Sequence, residues 1–510
     1  SELVEMLKQY KKWGWDGFSF RCDRYIDADT NLRTDEYGGE IENRGRFIYE
    51  LFSAVKKEVG SDFIIEAVIM GRSDHGHDGE LRHGYTQEEA VRFVKMIEGV
   101  IDIVQVREQG GMGYQCSCYN SKPHKHDVLG SCRAMREAGV ACTISANGGF
   151  LDPKDVEDAL ESGVVDLIST ARSFLSDPQY MQKLADEITP TPCVRCNKCH
   201  GFGTAPWAPV CTVNPKIGLV HRLPALVKPT LGSKKVAVIG GGPIGMRTAC
   251  FAAERGHKVT LFEKTGYLGG KLKHADLYSF KWTYKEYRLW LIDELKRLGV
   301  EVKLNHEPTP GELRTQGFDA IVACTGSREK RPELEGADAA GIWTSEDVYE
   351  ERAKLGQKII MVGGGEVATE TAMYLAEQGK DVIVLTRSNQ LMGKSRRPHG
   401  VHTQFESIDP ELGYGGIVPA WSVYPNLSPI YKATTLRVTP NSVTYVKDGV
   451  EIALECDSVI VNGGYESCYD DAIQYVGSAP MFYLAGDVEG NACTDVQQGN
   501  VSAFGKACLL

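Results

Sequence analysis

Two stretches of this chain repeat one local plan, and that plan dictates the backbone around each of them. KKVAVIGGGPIGMRTACFAAERGHKVTLFEK runs from Lys234 to Lys264, and QKIIMVGGGEVATETAMYLAEQGKDVIVLTRS from Gln357 to Ser388. Each joins an apolar run, a glycine triplet, a helix-forming stretch and a second apolar run, the order of a Rossmann-like dinucleotide-binding unit. Gly240, Gly242 and Gly245 leave room for a pyrophosphate against the helix N-terminus. Glu263, at the end of the second strand, is suited to accept hydrogen bonds from a ribose diol. The second stretch has Gly363, Gly365 and Ala368 at the matching places, but its last strand ends in Thr386, Arg387 and Ser388, without a carboxylate. Arg387 suits a 2′-phosphate, which points to NADP(H) rather than NADH; a solvated arginine at a strand end is the plainer alternative.

Upstream, TPCVRCNKCHGFGTAPWAPVCTVNP spaces Cys193, Cys196 and Cys199 two residues apart and reaches Cys211 after eleven more. A cubane 4Fe-4S cluster needs one thiolate per iron, and a tight triplet with a distant fourth cysteine supplies that set. A four-cysteine zinc site is the alternative, although it more often shows two separated C-x-x-C pairs.

The cysteine run, with Thr212, Val213, Asn214 and Pro215 after it, resembles the cluster segment of the large multi-cofactor Old Yellow Enzyme relatives. That family includes 2,4-dienoyl-CoA reductase, trimethylamine dehydrogenase and anaerobic ene-reductases. The resemblance implies the order flavin barrel, 4Fe-4S cluster, FAD domain and inserted pyridine nucleotide domain, expected at 1-190, 191-233, 234-350 with 459-510, and 351-458. It implies FAD on the first glycine unit, aided by Gly269 and Gly270 in YLGGKL, by Gly326, and by Gly486 and Asp487 in YLAGDVEG. The inserted unit would take NAD(P)H, or hold a bare nucleotide as in the trimethylamine dehydrogenase branch.

The first third predicts alternating elements: helices Leu3 to Trp13, Ile41 to Val59, Thr86 to Glu98, Leu129 to Ala138 and Pro153 to Ser162, with strands Gly17 to Phe20, Phe63 to Met70, Ile101 to Val106, Ala141 to Ser145 and Val165 to Ser169. Repeated βα units of this size read as the C-terminal part of a TIM (β/α)8 barrel, since a closed barrel needs eight strands. NLRTDEYGGEIENRGRF resembles the family's loop and helix after its fourth strand, so three strands are expected either in a longer polypeptide or in a chain that completes the barrel, and the former is favoured because an open half barrel exposes edges. Gly148 and Gly149 after the seventh family strand, and Arg172 in STARSFLSDPQY after the eighth, would hold the FMN phosphate by the same resemblance; a turn glycine pair and a surface arginine are the alternative. The family's paired histidines are replaced by Arg21, Cys22, Asp23 and Arg24, and its flavin-contacting arginine by Val68. Asp23 and Arg24 resemble a pair in bacterial bilirubin reductases, and arginine suits a carboxylate-bearing substrate. With Tyr25 they are the candidate catalytic group; a structural ion pair is the alternative. Tyr114, Tyr119, His124 and His126 are further candidate proton donors.

The formal charge of -11 and the absence of a long basic block argue against nucleic acid or anionic membrane as partners. Fifteen cysteines without an export signal point to a reducing cytoplasm. The resemblance therefore implies an electron path from NAD(P)H through FAD, the cluster and FMN to an activated C=C bond of a small molecule. An amine dehydrogenase and an electron-transfer subunit of a larger complex are the rivals. A homo-oligomer is a further expectation.

Overall fold

A computed structural model describes residues 2-73, 84-107, 128-196, 198-200, 210-219, 221-223, 230, 232-392, 406-408, 417-490 and 495-510. The chain divides into two compact units, one comprising Ser1–Phe174, Pro178–Ile188 and Glu406–Val418, the other Leu175–Asp177, Thr189–Phe405 and Pro419–Leu510.

The first unit is built on five parallel strands in sequential order, β1 (Gly17–Arg21), β2 (Ile64–Met70), β3 (Ile103–Arg107), β4 (Thr143–Asn147) and β5 (Leu167–Ser169). Sequential order with a helix between neighbours is what a run of right-handed βα crossovers yields. Every helix and strand expected from the sequence of this unit is present, with ends differing by at most two residues. Helix Ile41–Val59 buries Ile48, Phe52 and Val55, one turn apart, into a core shared with Phe63, Ile65 and Phe93. Helix Gln87–Ile97 starts at a capping box in which Thr86 and Glu89 satisfy each other's backbone N–H groups. Buried Arg44 stitches these parts: it donates to the carbonyls of Ile26 and Gly39, both at 2.6 Å, and to Glu89 Oε1 at 3.0 Å.

The second unit contains two five-stranded parallel sheets. The first runs Met481–Leu484, Ala320–Ala323, Lys235–Ile239, Lys258–Phe262, Glu301–Lys303. The second runs Ile342–Thr344, Ser458–Val461, Lys358–Val362, Asp381–Leu385, Leu427–Ile430, followed along the chain by a three-stranded antiparallel sheet over Thr434–Glu455. Near-continuous apolar runs such as VAVI and IIMV are fully buried, as strands covered on both faces require. In the first sheet the chain builds outward from a central strand on one side and then crosses to the other, and the second sheet does the same once its edge strand Ile342–Thr344 is laid down, so a crevice opens at the carboxyl end of each central strand. The second sheet extends beyond the expected 351-458 at both ends, because Ile342, Val459 and Val461 close its core against Ile360, Val362 and Leu385. Among the described residues no helix is long and apolar enough to cross a membrane.

Candidate functional site

In the first unit β1 ends at the candidate group. Asp23 is buried, and its carboxylate accepts from Arg21 Nε at 2.9 Å, from the Met70 N–H at 2.8 Å and from Tyr85 Oη at 2.9 Å. The ion pair at this rim is therefore Arg21 with Asp23, not Asp23 with Arg24, and Asp23 fastens β1 to the end of β2. Arg24 is exposed, and Tyr25 is partly exposed with its ring stacked on Phe47 at 5.1 Å between centroids. Val68 is buried in β2. Tyr114, Tyr119, His124 and His126 lie outside the described residues.

At the far end of the sheet, the loops after β4 and β5 are tied together: Thr170 Oγ1 and Ser173 Oγ both donate to the Phe150 carbonyl, at 3.1 and 3.4 Å. This brings Arg172 to the same rim as Gly148 and Gly149, whose φ angles of 152° and 72° no side chain adopts readily. Adjacent backbone N–H groups and a guanidinium fit a phosphate.

In the second unit, the first glycine loop is packed tight. A Cβ on Gly240 would fall 2.4 Å from the Cys324 carbonyl oxygen, and one on Gly245 would fall 1.8 Å from the Gly240 carbonyl oxygen. Helix Pro243–Glu254 begins at Gly242 with no side-chain cap, leaving its first N–H groups for an anion. Glu263 is buried beside it, accepting from the Gly241 N–H at 2.7 Å and from the Thr265 N–H and hydroxyl at 2.7 and 2.8 Å. Gly269 donates to the Gly241 carbonyl at 2.8 Å, which sets Gly270 against the first loop. Asp487, following Gly486, accepts from Ser327 Oγ at 2.5 Å, and Lys271 donates to the same serine at 2.9 Å. These groups fit an adenine dinucleotide such as FAD.

The thiolate loop is pinned to two helices of this unit. Thr283 Oγ1, at the start of helix Trp282–Arg297, donates to the Val194 carbonyl at 3.0 Å, and Asn500, on helix Val496–Leu509, donates to the Thr212 carbonyl at 2.7 Å. Cys196 Sγ lies 2.9 Å from Thr212 Oγ1, and Cys196 and Cys211 belong to one apolar cluster with Val194 and Val213. Burial pushes the Cys211 thiol up to about 12, and Cys193 and Cys196 stand close enough to add to the effect. Cys199 sits in the short turn Lys198–His200. Among the described residues no three ligand-type side chains converge on one point; a cubane cluster instead takes its thiolates at separate corners, and the donor set fits that group.

The second glycine loop is looser. Gly365 begins helix Glu366–Glu377 without a side-chain cap and with open space where a Cβ would stand, while a Cβ on Gly363 would lie 3.1 Å from the Asn462 carbonyl. Arg387 is exposed beside buried Thr386. The second glycine loop, Lys271, Ser327 and Asp487 from the FAD side, and Lys198 and Thr212 of the thiolate loop line one cavity of about 1340 Å³, with Arg387 on its wall.

Sequence reasoning missed the charged groups of this cavity. Lys281 pairs with buried Glu370 at 2.5 Å, and Lys198 pairs with Asp495. Glu366 is exposed on the cavity wall, and the surrounding protein together with the Glu370 charge one turn on raises its carboxyl above the ordinary value. The signal was legible as GGGEVATE, an acid directly after the glycine triplet and another one turn on.

A barrel segment of βα units, a four-thiol loop and two nested dinucleotide folds define a multi-cofactor flavin oxidoreductase. Residues 16-190 match the NADH:flavin oxidoreductase / NADH oxidase family, and 216-312 with 299-404 match the pyridine nucleotide-disulphide oxidoreductase family. The chain is 33% identical to cinnamate reductase of Clostridium sporogenes over 420 residues, covering 77% of this chain and 62% of that protein. It is 28% identical to bilirubin reductase of Mediterraneibacter gnavus over 484 residues, covering 91% of this chain and 70% of that protein. The solved structure of 2-naphthoyl-CoA reductase with 2-naphthoyl-CoA superposes with a TM-score of 0.87 at 26% identity, over 99% of this chain and 75% of that one. The chain belongs to the Old Yellow Enzyme-like NADH:flavin oxidoreductases of the 2,4-dienoyl-CoA reductase and trimethylamine dehydrogenase type, whose redox groups are FMN, FAD, a 4Fe-4S cluster and NAD(P)H.

Proposed function

We propose that this chain serves an NAD(P)H-dependent reductase of activated C=C bonds, acting on a conjugated acid, thioester, ketone or tetrapyrrole-like substrate. The observation that carries this reading is the cavity lined by the second glycine loop, by Lys271, Ser327 and Asp487 of the FAD side and by Lys198 and Thr212 of the thiolate loop, a layout suited to an electron path from dinucleotide to cluster. When bound, the family's groups supply the redox chemistry, with FAD accepting a hydride, the cluster relaying single electrons and FMN returning a hydride to carbon.

The chain's own residues hold and orient those groups. Gly240, Gly242 and Gly245 bring backbone N–H groups to a pyrophosphate, Glu263 keeps free lone pairs for a ribose, and Asp487 with Lys271 and Ser327 offers a polar wall to the rest of FAD. Cys193, Cys196, Cys199 and Cys211 are the cluster ligands in this reading. Gly148, Gly149 and Arg172 take the FMN phosphate. Gly363 and Gly365 receive NAD(P)H, with Arg387 at its ribose end. At the barrel rim Arg24 and Tyr25 are free to meet a substrate anion, while Asp23 positions them by fixing the β1 end to β2. The names of the relatives, cinnamate reductase, bilirubin reductase and 2-naphthoyl-CoA reductase, support a conjugated substrate.

The chain's likeness to a dimethylamine dehydrogenase favours a second reading, amine oxidation with electrons leaving to an external acceptor. Anaerobically purified protein separates the two. The first reading expects FAD, FMN and about four irons per chain, and NAD(P)H oxidation that depends on an added enoate or enone. Dye reduction driven by a secondary or tertiary amine, with no NAD(P)H oxidation, overturns it. FAD and iron without FMN restrict the chain to electron input.

A further inference from the structure

Helix Pro243–Glu254 carries a charge that the first glycine loop does not use. Arg247 is buried, 6% exposed, with its guanidinium 4.1 Å from the Phe251 ring centroid and 5.1 Å from that of Trp290, and its Nε has no hydrogen-bond partner. An arginine stays protonated when buried, so the site holds a fixed cation in apolar surroundings, and the two rings offset its lost hydration only in part. The acids that act with it on neighbouring Cys250 are engaged elsewhere, Glu294 by Arg297 at 2.5 Å and Glu254 by Lys216 at 3.6 Å. A short path of buried side chains leads from Arg247 to the thiolate loop. Trp290 stacks on Tyr287 with 5.9 Å between centroids, Asn500 donates to Tyr287 Oη at 3.1 Å, and the same amide donates to the carbonyl of Thr212, next to Cys211. Cys196, Cys211, Tyr287 and Trp290 share one apolar cluster with Met246 and Cys250 of the arginine's own helix. Burial pushes the Tyr287 phenol up to about 12, with the Arg247 charge opposing and the Cys211 thiol adding, so both lie within electrostatic reach of that ring. The loop itself adds Arg195, buried over the Trp282 ring at 5.6 Å, and Lys198, held by Asp495.

We propose that Arg247 is a fixed counter-charge for the redox group of the thiolate loop: from the core behind the loop it favours the reduced, more negative form and so raises the potential at which the loop takes up an electron. This rests on the reading that Cys193, Cys196, Cys199 and Cys211 hold a 4Fe-4S cluster. Four thiolates leave such a cluster anionic, and reduction makes it more so. A cation in the same apolar core therefore stabilises the reduced state more than the oxidised one. The side chains between them, Trp290, Tyr287 and Asn500, are buried, so the field is screened far less than at the surface. Arg247 acts through that field and not as a ligand, which leaves all four corners of the cluster to the cysteines.

The test is a redox titration of the anaerobically purified, cofactor-loaded protein with dithionite and mediator dyes. The reduced cluster is read by its low-temperature paramagnetic resonance, which separates it from the flavins. Arg247→Met removes the charge and keeps a long side chain between the two rings. In this variant the ratio of reduced to oxidised cluster at a given potential is expected to fall about tenfold, a downward shift of about 59 mV for one electron. Arg247→Lys keeps the charge and is expected to titrate close to the unaltered protein. Lys285→Met, at an exposed position on helix Trp282–Arg297, is the control and should shift nothing, because water and salt screen it. An unchanged potential in Arg247→Met, or the same shift in Arg247→Lys as in Arg247→Met, overturns the inference alone, the second result by assigning Arg247 to packing. Where Arg247→Met fails to retain iron, retention by Arg247→Lys supports the counter-charge, and loss from both overturns it. Unaltered protein that binds zinc and takes up no iron overturns the cluster reading and the inference with it.

Discussion

The two glycine loops of the second unit share a sequence plan and differ in how tightly they close. In the first, the third glycine presses on the first so closely that a single methyl group would overlap the Gly240 carbonyl, and Glu263 accepts from the Gly241 and Thr265 N–H groups, holding the loop to the strand beyond. In the second, Ala368 stands where the third glycine would be, a Cβ on Gly363 would meet its nearest atom at 3.1 Å rather than the 2.4 Å found at Gly240, and the strand end carries exposed Arg387 rather than a buried acid. A loop locked by its own backbone suits a resident cofactor that never leaves. A loop with slack, opening on a large cavity, suits a ligand that arrives, reacts and departs.

The sharpest way to break this comparison is to place in the first loop the methyl group that Ala368 already carries in the second. Gly245→Ala places a Cβ 1.8 Å from a backbone oxygen that cannot rotate away, so strand and helix must separate. Overpacking of this kind costs about 1–3 kcal/mol or more, and the expected outcome is a lower thermal midpoint with loss of bound FAD. Gly365→Ala has φ at -72° and nothing near its Cβ, so the thermal midpoint and the flavin content should stay unchanged. An unchanged flavin spectrum and melting curve in Gly245→Ala would remove the distinction between a closed and an open loop, and Gly365→Ala is the control at a position that is open in both loops.

Glu263→Gln is the next largest. The amide must turn an N–H toward either the Gly241 N–H or the Thr265 N–H, because both carboxylate oxygens now accept from backbone. Leaving one buried donor unsatisfied costs about 1–3 kcal/mol, so FAD affinity and thermal stability should both drop. In the second loop no acid performs this duty, and Arg387→Ala should leave stability alone. Its expected effect is on ligand choice, weakening NADPH binding by about tenfold while NADH binding is unchanged, as loss of one charge-assisted phosphate contact predicts. Equal weakening of both would show that Arg387 meets a feature common to the two dinucleotides.

The difference between the loops also marks what the sequence could and could not reveal. Glycine spacing, the acid at Glu263 and the apolar strands are local patterns, and the five-stranded sheets follow from them; the elements of the first unit follow equally from periodicity. The role of Asp23 did not follow. Its neighbours in sequence suggested a pair with Arg24, but the carboxylate is claimed by Arg21, by Tyr85 from a distant segment and by the backbone of β2. The pairs Lys198 with Asp495 and Lys281 with Glu370 join residues remote in the chain, and no local pattern signals them. Composition marks these as ordinary surface charges, and only the fold turns them toward a shared cavity.

The smallest expected effect concerns the open loop's own stability. The surrounding protein and the Glu370 charge push the Glu366 carboxyl up from the ordinary value of 4.5, toward about 7. A folded-state value raised in this way makes the carboxyl's contribution fully present below the unfolded titration and progressively lost as pH rises toward and through about 7. Glu366→Gln cannot ionise, so its thermal midpoint should exceed that of the unaltered protein at about pH 8 and converge with it at about pH 5. Cavity water screens the charge, so the gain is about 1 kcal/mol or less. The open loop thus carries an ionised acid at a cost, whereas the closed loop uses Glu263 to hold itself together. A midpoint difference independent of pH would assign the cost of Glu366 to packing instead, and would leave the looseness of the second loop without a connection to charge.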